Sequence, residues 1–376
     1  MGGKISKRGQ SWQVTIECGK NAQGKRIRKY FSAKTKTEAE NILTEYKYKI
    51  LKEDFVEPSL MTFAEFLKHW LNHYVDKNCE VTTKAGYENV IRKHVNPYLG
   101  NIPLQKLSAL HIQEYYSYLM DEKGLSPTTV RRHHSSIRKA LDYAFQKQLV
   151  TKNVADRVTL PKRQEYEAAF FTDKQVVSLL EAVKGSEIEA PVNLAVYLGL
   201  RRGEVCGLRW KYVDLEKQVL EVKETRTRIS REIITKAPKT KKSHRVLYLS
   251  DQLVKILKAH KKRQKENKML FGREYVESDY VCTMLDGEPI HPDVLSHRFQ
   301  DALKKSKLPH IRFHDIRHTV ASLLLHNNIP ILNVSEMLGH SDVGITLKIY
   351  GHVLEEAKKD TAIKMAEILK GKRASR

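Results

Sequence analysis

The sequence predicts a multidomain chain, mainly α with α+β character. A small basic three-stranded sheet backed by a helix comes first, then a helical domain, then a mixed, mainly helical domain with a small antiparallel sheet. Three observations predict it. Residues 1–36 alternate apolar and polar side chains between glycine-bearing turns, the period of half-buried strands. From Met61 to about Lys162 apolar residues recur at spacings of three and four, the period of helices. Beyond residue 170 helical stretches are broken by short alternating runs. At 376 residues the chain is long enough for two or three domains with their own cores, and the pattern divides it at 1–58, 61–160 and 170–376.

In the first segment, "SWQVTIEC" places Trp12, Val14, Ile16 and Cys18 on one face and Gln13, Thr15 and Glu17 on the other. "MGGKIS" reads as a preceding strand, although it also fits the N-myristoylation pattern. "GKNAQGK" is a turn, "RIRKYFSA" the returning strand, and "TKTEAENILTEYKYKILKEDF" has helix composition. Ten Lys/Arg stand against the single acid Glu17 in residues 1–36, and Arg26, Arg28 and Lys29 are candidate DNA contacts. A two-stranded ribbon fits the major groove of DNA. An inert basic capping subdomain is the other reading.

In the second segment, "TFAEFLKHWLNHYV" starts a helix after Thr62. "SPTTVRRHHSSIRKALDYAFQKQL" opens with Ser126 as N-cap and Pro127 at the first helical position. Val130, Ile137, Leu141 and Ala144 form its core stripe. Arg131, Arg132, His134, Arg138 and Lys139 occupy the remaining surface, as phosphate contacts or as a solvated basic face. Residues 151–170 lose the periodicity and read as a linker.

The third segment opens at a capping box of Thr172 and Gln175. "VDLEKQVLEVK" and "SHRVLYLS" read as strands joined by a polar, lysine-rich connection, and helices run from Asp251 to about Lys265 and from Pro292 onward.

The net charge of +23 favours a polyanionic partner, nucleic acid first. No apolar run is long enough for a membrane span, and no amphipathic basic helix points to a membrane surface. Cys18, Cys79, Cys206 and Cys282 lie far apart without CxxC or Cys/His metal spacing, which fits a reduced, cytoplasmic compartment and no metal site.

Four local features bear on chemistry. In "LGLRRGEVCGLRW", Gly199 closes one helix, Arg201 starts the next, and Glu204 lies three residues on, where it can orient Arg201. In "PKTKKSHR", Lys239 sits in the tight turn of a hairpin beside Lys241, Lys242, His244 and Arg245. It is either a proton donor reaching into a groove or part of a solvated basic loop. In "HDIRHT", His314 and Arg317 share one helical face, which keeps the imidazole neutral and able to accept a proton. In "LGHSDVGITLKIYGH", Gly339 ends a helix, His340 lies just beyond, and Ser341 caps a short helix carrying Tyr350. A tyrosine hydroxyl with a pKa of about 10 needs a cationic pocket or a base to attack phosphorus.

Taken in this order, "GLRRGE", "PKTKKSHR", "HDIRHT", "LGH" and "TLKIY" resemble the motifs of the tyrosine recombinases, more narrowly the integrases of temperate phages and integrative conjugative elements. The resemblance covers nearly the whole chain. It implies an arm-type DNA-binding domain, a helical core-type DNA-binding domain and a catalytic domain. It implies Tyr350 as nucleophile, forming a 3′-phosphotyrosyl link, with Arg201 and Arg317 clamping the non-bridging oxygens. Lys239 would protonate the leaving 5′-oxygen, His314 would move the tyrosine proton, His340 would hydrogen-bond the phosphate, and Glu204 would support them. Neither a metal ion nor ATP is required. The implied partners are double-stranded DNA at attachment core and arm sites, a homotetramer on that DNA, a host DNA-bending protein and a directionality factor, with residence at the bacterial nucleoid. The helical tail after Tyr350 would pack on its own or a neighbouring subunit. A type IB topoisomerase shares the nucleophile and pocket, and a non-enzymatic DNA-binding regulator would explain the charge but not the spaced motifs.

Overall fold

The structure, a computed structural model, describes residues 3–20, 26–51, 59–163, 170–229, 232–238, 243–339, 344 and 365–366. These fall into two compact units, Met1–Glu165 and Tyr166–Arg376.

The first unit begins with an antiparallel sheet of β1 (Gly3–Arg8), β2 (Ser11–Lys20) and β3 (Arg26–Ala33), followed by α1 (Lys36–Leu51). Val14, Ile16 and Ala33 are buried with Ala39 of α1, so the face that carries Trp12, Val14 and Ile16 is the one the helix covers. Strand parity then decides which basic residues face outward. Arg28 pairs with Glu17 in register and Tyr30 with Thr15, on the uncovered face. Lys29 is the register partner of Ile16 and falls on the helix side, so it does not share the outward face with Arg28.

A helical body follows: α2 (Phe63–Trp70), α3 (Asp76–Asn78), α4 (Val81–Val90), α5 (Asn96–Leu99), α6 (Ala109–Asp121) and α7 (Pro127–Gln146). Thr62 and Glu65 cap α2 reciprocally, and Ser126 caps α7 with Pro127 in its first turn. Phe63, Phe66, Leu67 and Trp70 of α2 pack with Tyr115, Tyr116, Ile137 and Leu141 in one buried core.

The stretch expected as a linker is structured in its first part. Asn153 donates to the carbonyl of Arg138 at 3.0 Å and to Asp142 at 2.6 Å. Gln113 exchanges two hydrogen bonds with the backbone of Thr159. Hydrogen bonds from side chains, together with Ala155 buried in the helical core and Val154, Val158 and Leu160 packed against it, hold residues 153–161 to the helices without a regular period.

The second unit is mainly helical: α8 (Asp173–Val183), α9 (Glu189–Leu198), α10 (Arg202–Gly207), α11 (Asp251–Phe271), α12 (Pro292–Lys305), α13 (Asp315–His326) and α14 (Ile331–Leu338). The strands β4 (Val213–Asp214), β5 (Val219–Val222) and β8 (Arg245–Tyr248) form the expected small antiparallel sheet. Between β5 and β8, where a polar connection with Lys239 in the tight turn of a hairpin was expected, lies a hairpin of β6 (Thr225–Ile229) and β7 (Glu232–Lys236) that ends before Lys239. β7 pairs with β6 and β8 with β5, so the turn of this hairpin is not the one expected at Lys239. Its residues are half-buried to exposed, so its alternation is polar and reads as a loop.

The hairpin is fastened to the unit by its arginines. Arg226 donates to the carbonyls of Pro289 and Ile290 at 2.7 and 2.9 Å, and Arg228 pairs with Asp293 at 2.7 Å. Arg209 and Arg226 lie over the Tyr280 ring, 4.4 and 5.4 Å from its centroid. Gly207 makes this fit possible, since a Cβ there would lie 3.0 Å from the backbone of Thr225 and Arg226. No described helix is long and apolar enough to cross a membrane.

Candidate active site

Two helix ends build the site. α9 ends at Gly199 with φ 60, and α14 ends at Gly339 with φ 65, both in the left-handed region that suits glycine. A Cβ on Gly199 would collide with the Leu338 side chain, so the glycine also lets the two ends approach. The last carbonyls of a helix lack intrahelical partners and favour cations nearby. Here arginines supply both.

Arg201 precedes α10 in extended conformation. Its backbone N–H donates to Glu204 Oε2 at 3.0 Å, its Nη1 to Glu204 Oε1 at 2.8 Å, and its Nη2 to the Gly339 carbonyl at 3.2 Å. Its side chain is 34% exposed, whereas that of Glu204 is 4% exposed. Arg317, on the first turn of α13, donates to the carbonyls of Gly199 at 2.9 Å and Leu338 at 2.5 Å and is buried. The resemblance implied Arg201 and Arg317 as clamps on the phosphate. In the structure Arg201 reaches solvent, whereas Arg317 is buried.

Burial alone would raise the Glu204 carboxyl, but the hydrogen bond and charge of Arg245 and the charge of Arg201 hold it below its ordinary range. It is an anion between two guanidinium groups. Arg245 was read in the sequence only as a neighbour of Lys239. Its signal was its place at the head of a strand directly after that lysine-rich run.

His314 stands at the start of α13 without capping it, its ring edge-on to His318 with centroids 5.3 Å apart. The residue is exposed at the protein surface. Crowding by protein, followed by the charges of His318, Arg317 and Arg201, lowers its pKa to about 4. The imidazole is therefore neutral at pH 7. Asp315 is buried beside it. Burial pushes its carboxyl up, but hydrogen bonds from the Arg312 side chain and backbone more than offset this and leave it lowered. Sequence reasoning gave Asp315 no role; it fixes the turn that presents His314 and Arg317.

Arg201 and Arg317 thus both donate to carbonyls at the end of α14, Glu204 holds Arg201, and His314 lies near enough to both arginines to feel their charge. Lys239, His340, Ser341 and Tyr350, with most of the tail that follows, lie outside the described residues. Among the described residues no group of His, Cys, Asp and Glu is arranged to hold a metal ion.

The candidate DNA contacts of the first unit are less uniform than the sequence suggested. Arg28 is ion-paired with Glu17 at 3.2 Å, and Arg26 lies in β3. Arg131 donates to the Pro161 carbonyl at 2.8 Å, and Arg138 pairs with Asp156 at 2.7 Å. Arg132 and Lys139 remain exposed, with Lys139 5.9 Å over the Tyr74 ring. His134 is not a surface group for phosphate. It is half-buried and hydrogen-bonded to the Tyr116 hydroxyl at 2.8 Å, and burial lowers its pKa.

Residues 169–357 match the phage integrase family, and residues 62–120 match the phage integrase N-terminal SAM-like domain. The chain is 32% identical over 366 residues to a tyrosine recombinase XerC-like protein of Caldanaerobacter subterraneus subsp. tengcongensis, covering 92% of this chain and 93% of that one. It is 26% identical to the ICEBs1 integrase of Bacillus subtilis, covering 95% and 97%. Its fold is similar to that of the Tn1549 transposon integrase in complex with transposon right-end DNA, with a TM-score of 0.69 at 22% identity, covering 81% of this chain and 100% of that one.

Proposed function

The chain belongs to the phage integrase family of tyrosine recombinases, and on that premise we propose how its residues integrate and excise a mobile element or prophage. The observation that carries the reading is that Arg201, held by Glu204, and Arg317 both donate to the end of α14 beside His314, immediately before the segment that carries His340 and Tyr350.

Tyr350 attacks the scissile phosphorus as His314 accepts the phenolic proton. A P–O bond to tyrosine forms, and the bond to the 5′-oxygen breaks. Lys239 gives that oxygen its proton, leaving a 3′-phosphotyrosyl link and a free 5′-hydroxyl. Arg201 and Arg317 exchange carbonyl oxygens for the non-bridging phosphate oxygens, where negative charge develops, and His340 hydrogen-bonds the same phosphate. The 5′-hydroxyl of the partner strand reverses the step and reseals the DNA. One phosphodiester replaces another, so the chemistry needs no ATP.

Residues 61–160 supply core-site binding through the exposed side chains of α7, with Arg132 and Lys139 foremost. Residues 1–58 supply arm-site binding through the uncovered face of β1–β3, where Arg28 sits. Two DNA sites on one chain suit a homotetramer working with a host DNA-bending protein and a directionality factor at the nucleoid. A two-site recombination assay in EDTA, using the junction sequences that flank the gene, tests the function. Exchange of flanking DNA is expected; relaxation of supercoils without exchange would refute it.

A further inference from the structure

Three consecutive carbonyls at the end of α14 each accept from a different arginine. Met337 accepts from Arg245 Nε at 2.7 Å, Leu338 from Arg317 at 2.5 Å, and Gly339 from Arg201 at 3.2 Å. Arg201 and Arg317 are the pair that turns to phosphate in the reading above. Arg245 has no part in that reading, yet it is among the most enclosed arginines of the unit, its side chain 7% exposed. It places Nη2 2.9 Å from Glu204 Oε2 and Nη1 3.2 Å from Glu204 Oε1. Nη1 also donates to the Ser243 carbonyl at 3.1 Å. Its backbone is fixed at the head of β8, in register with Val222.

We propose that Arg245 is a positioning residue for strand cleavage, holding Glu204 and the end of α14 so that Arg201 keeps its charge for the scissile phosphate. The charge count gives the reason. One carboxylate shared by Arg201 and Arg245 leaves a net positive charge, whereas Glu204 paired with Arg201 alone would cancel it. Geometry gives a second reason. Once Arg201 and Arg317 have exchanged carbonyls for phosphate oxygens, the Arg245 bond to Met337 still ties down the last turn before His340. Four acceptors around one planar fork suit arginine and not lysine, whose ammonium is a single point of charge.

The inference rests on Arg201 being a phosphate clamp, and the test separates the two. Covalent adduct formation on a nicked suicide substrate is measured for the full chain, alongside DNA affinity in a Tyr350→Phe background. Arg245→Lys and Arg245→Ala are expected to bind DNA normally and cleave about a hundredfold more slowly, the scale of loss when a reacting group is misplaced. Adding Glu204→Gln to Arg245→Ala removes the carboxylate that would then cancel the Arg201 charge and is expected to restore cleavage by about tenfold, a coupling that general loss of structure would not give. Should Arg245→Ala fail to fold, Arg245→Lys carries the test. The proposal is overturned if Arg245→Lys cleaves at the wild-type rate, or if the double variant is no faster than Arg245→Ala. Absence of adduct from the wild type would instead overturn the reading of the whole site.

Discussion

Arg201 and Glu204 bind each other twice across one helical turn. The Arg201 guanidinium donates to Oε1 at 2.8 Å, and its backbone N–H donates to Oε2 at 3.0 Å. The carboxylate therefore caps α10 and aims the arginine in one stroke. Arg201→Lys would keep the charge and lose the planar fork. It is expected to slow adduct formation by about a hundredfold or more, the cost of one lost donor to a developing oxyanion, with DNA affinity little changed. Cleavage at the wild-type rate would take Arg201 out of the phosphate clamp.

Lys239 follows β7 by three residues and precedes β8. The Arg226, Arg228 and Tyr280 contacts that fix the hairpin therefore set where that segment starts. Lys239→Ala should slow cleavage of an ordinary substrate strongly and that of a 5′-phosphorothiolate substrate little, because the thiolate leaves without a proton. Equal slowing on both would remove Lys239 from the acid role.

Acid should weaken the first unit through His133. This residue is 2% exposed, hydrogen-bonded to the Tyr115 hydroxyl at 3.0 Å, and its pKa is lowered to about 4 by burial, with His94 and Arg132 adding. The folded state disfavours the imidazolium. Its contribution is fully present above the unfolded value of about 6.5 and is lost as pH falls toward 4. The melting temperature should fall over that window, and the His133 ring protons should show no titration by NMR until near pH 4. A His133 titration midpoint near 6.5 would contradict this.

Deleting residues 1–58 should leave adduct formation at a core site largely intact and impair integrative recombination. The sheet and α1 have their own small core of Val14, Ile16, Ala33 and Ala39, so their loss should not unfold the helical body. Undiminished integrative recombination would remove the arm-binding assignment.

Much of this architecture was legible because it is written in local rules. Thr62, Ser126 and Thr172 all cap helices where the sequence places them, and Gly199 and Gly339 close helices as glycines do. Trp12, Val14 and Ile16 share one face by simple alternation. What escaped was held by side chains reaching over long sequence separations. The β6–β7 hairpin rests on Arg226 and Tyr280, 54 positions apart, and neither its polar strands nor that contact leaves a local pattern. His134 read as surface because a polar residue on a basic helix normally is, yet Tyr116 of the neighbouring helix buries it. Arg245 was visible only as one more cation in a basic run. Its meaning comes from Glu204 and Met337, both distant in sequence.

The account stands most directly on Tyr350 as the nucleophile that the Arg201, His314 and Arg317 cluster serves. Incubating wild type and Tyr350→Phe with a nicked suicide substrate carrying the attachment site, then resolving protein from DNA under denaturing conditions, measures it. The account predicts a covalent protein–DNA adduct from the wild type and none from Tyr350→Phe. An adduct that survives Tyr350→Phe would contradict it.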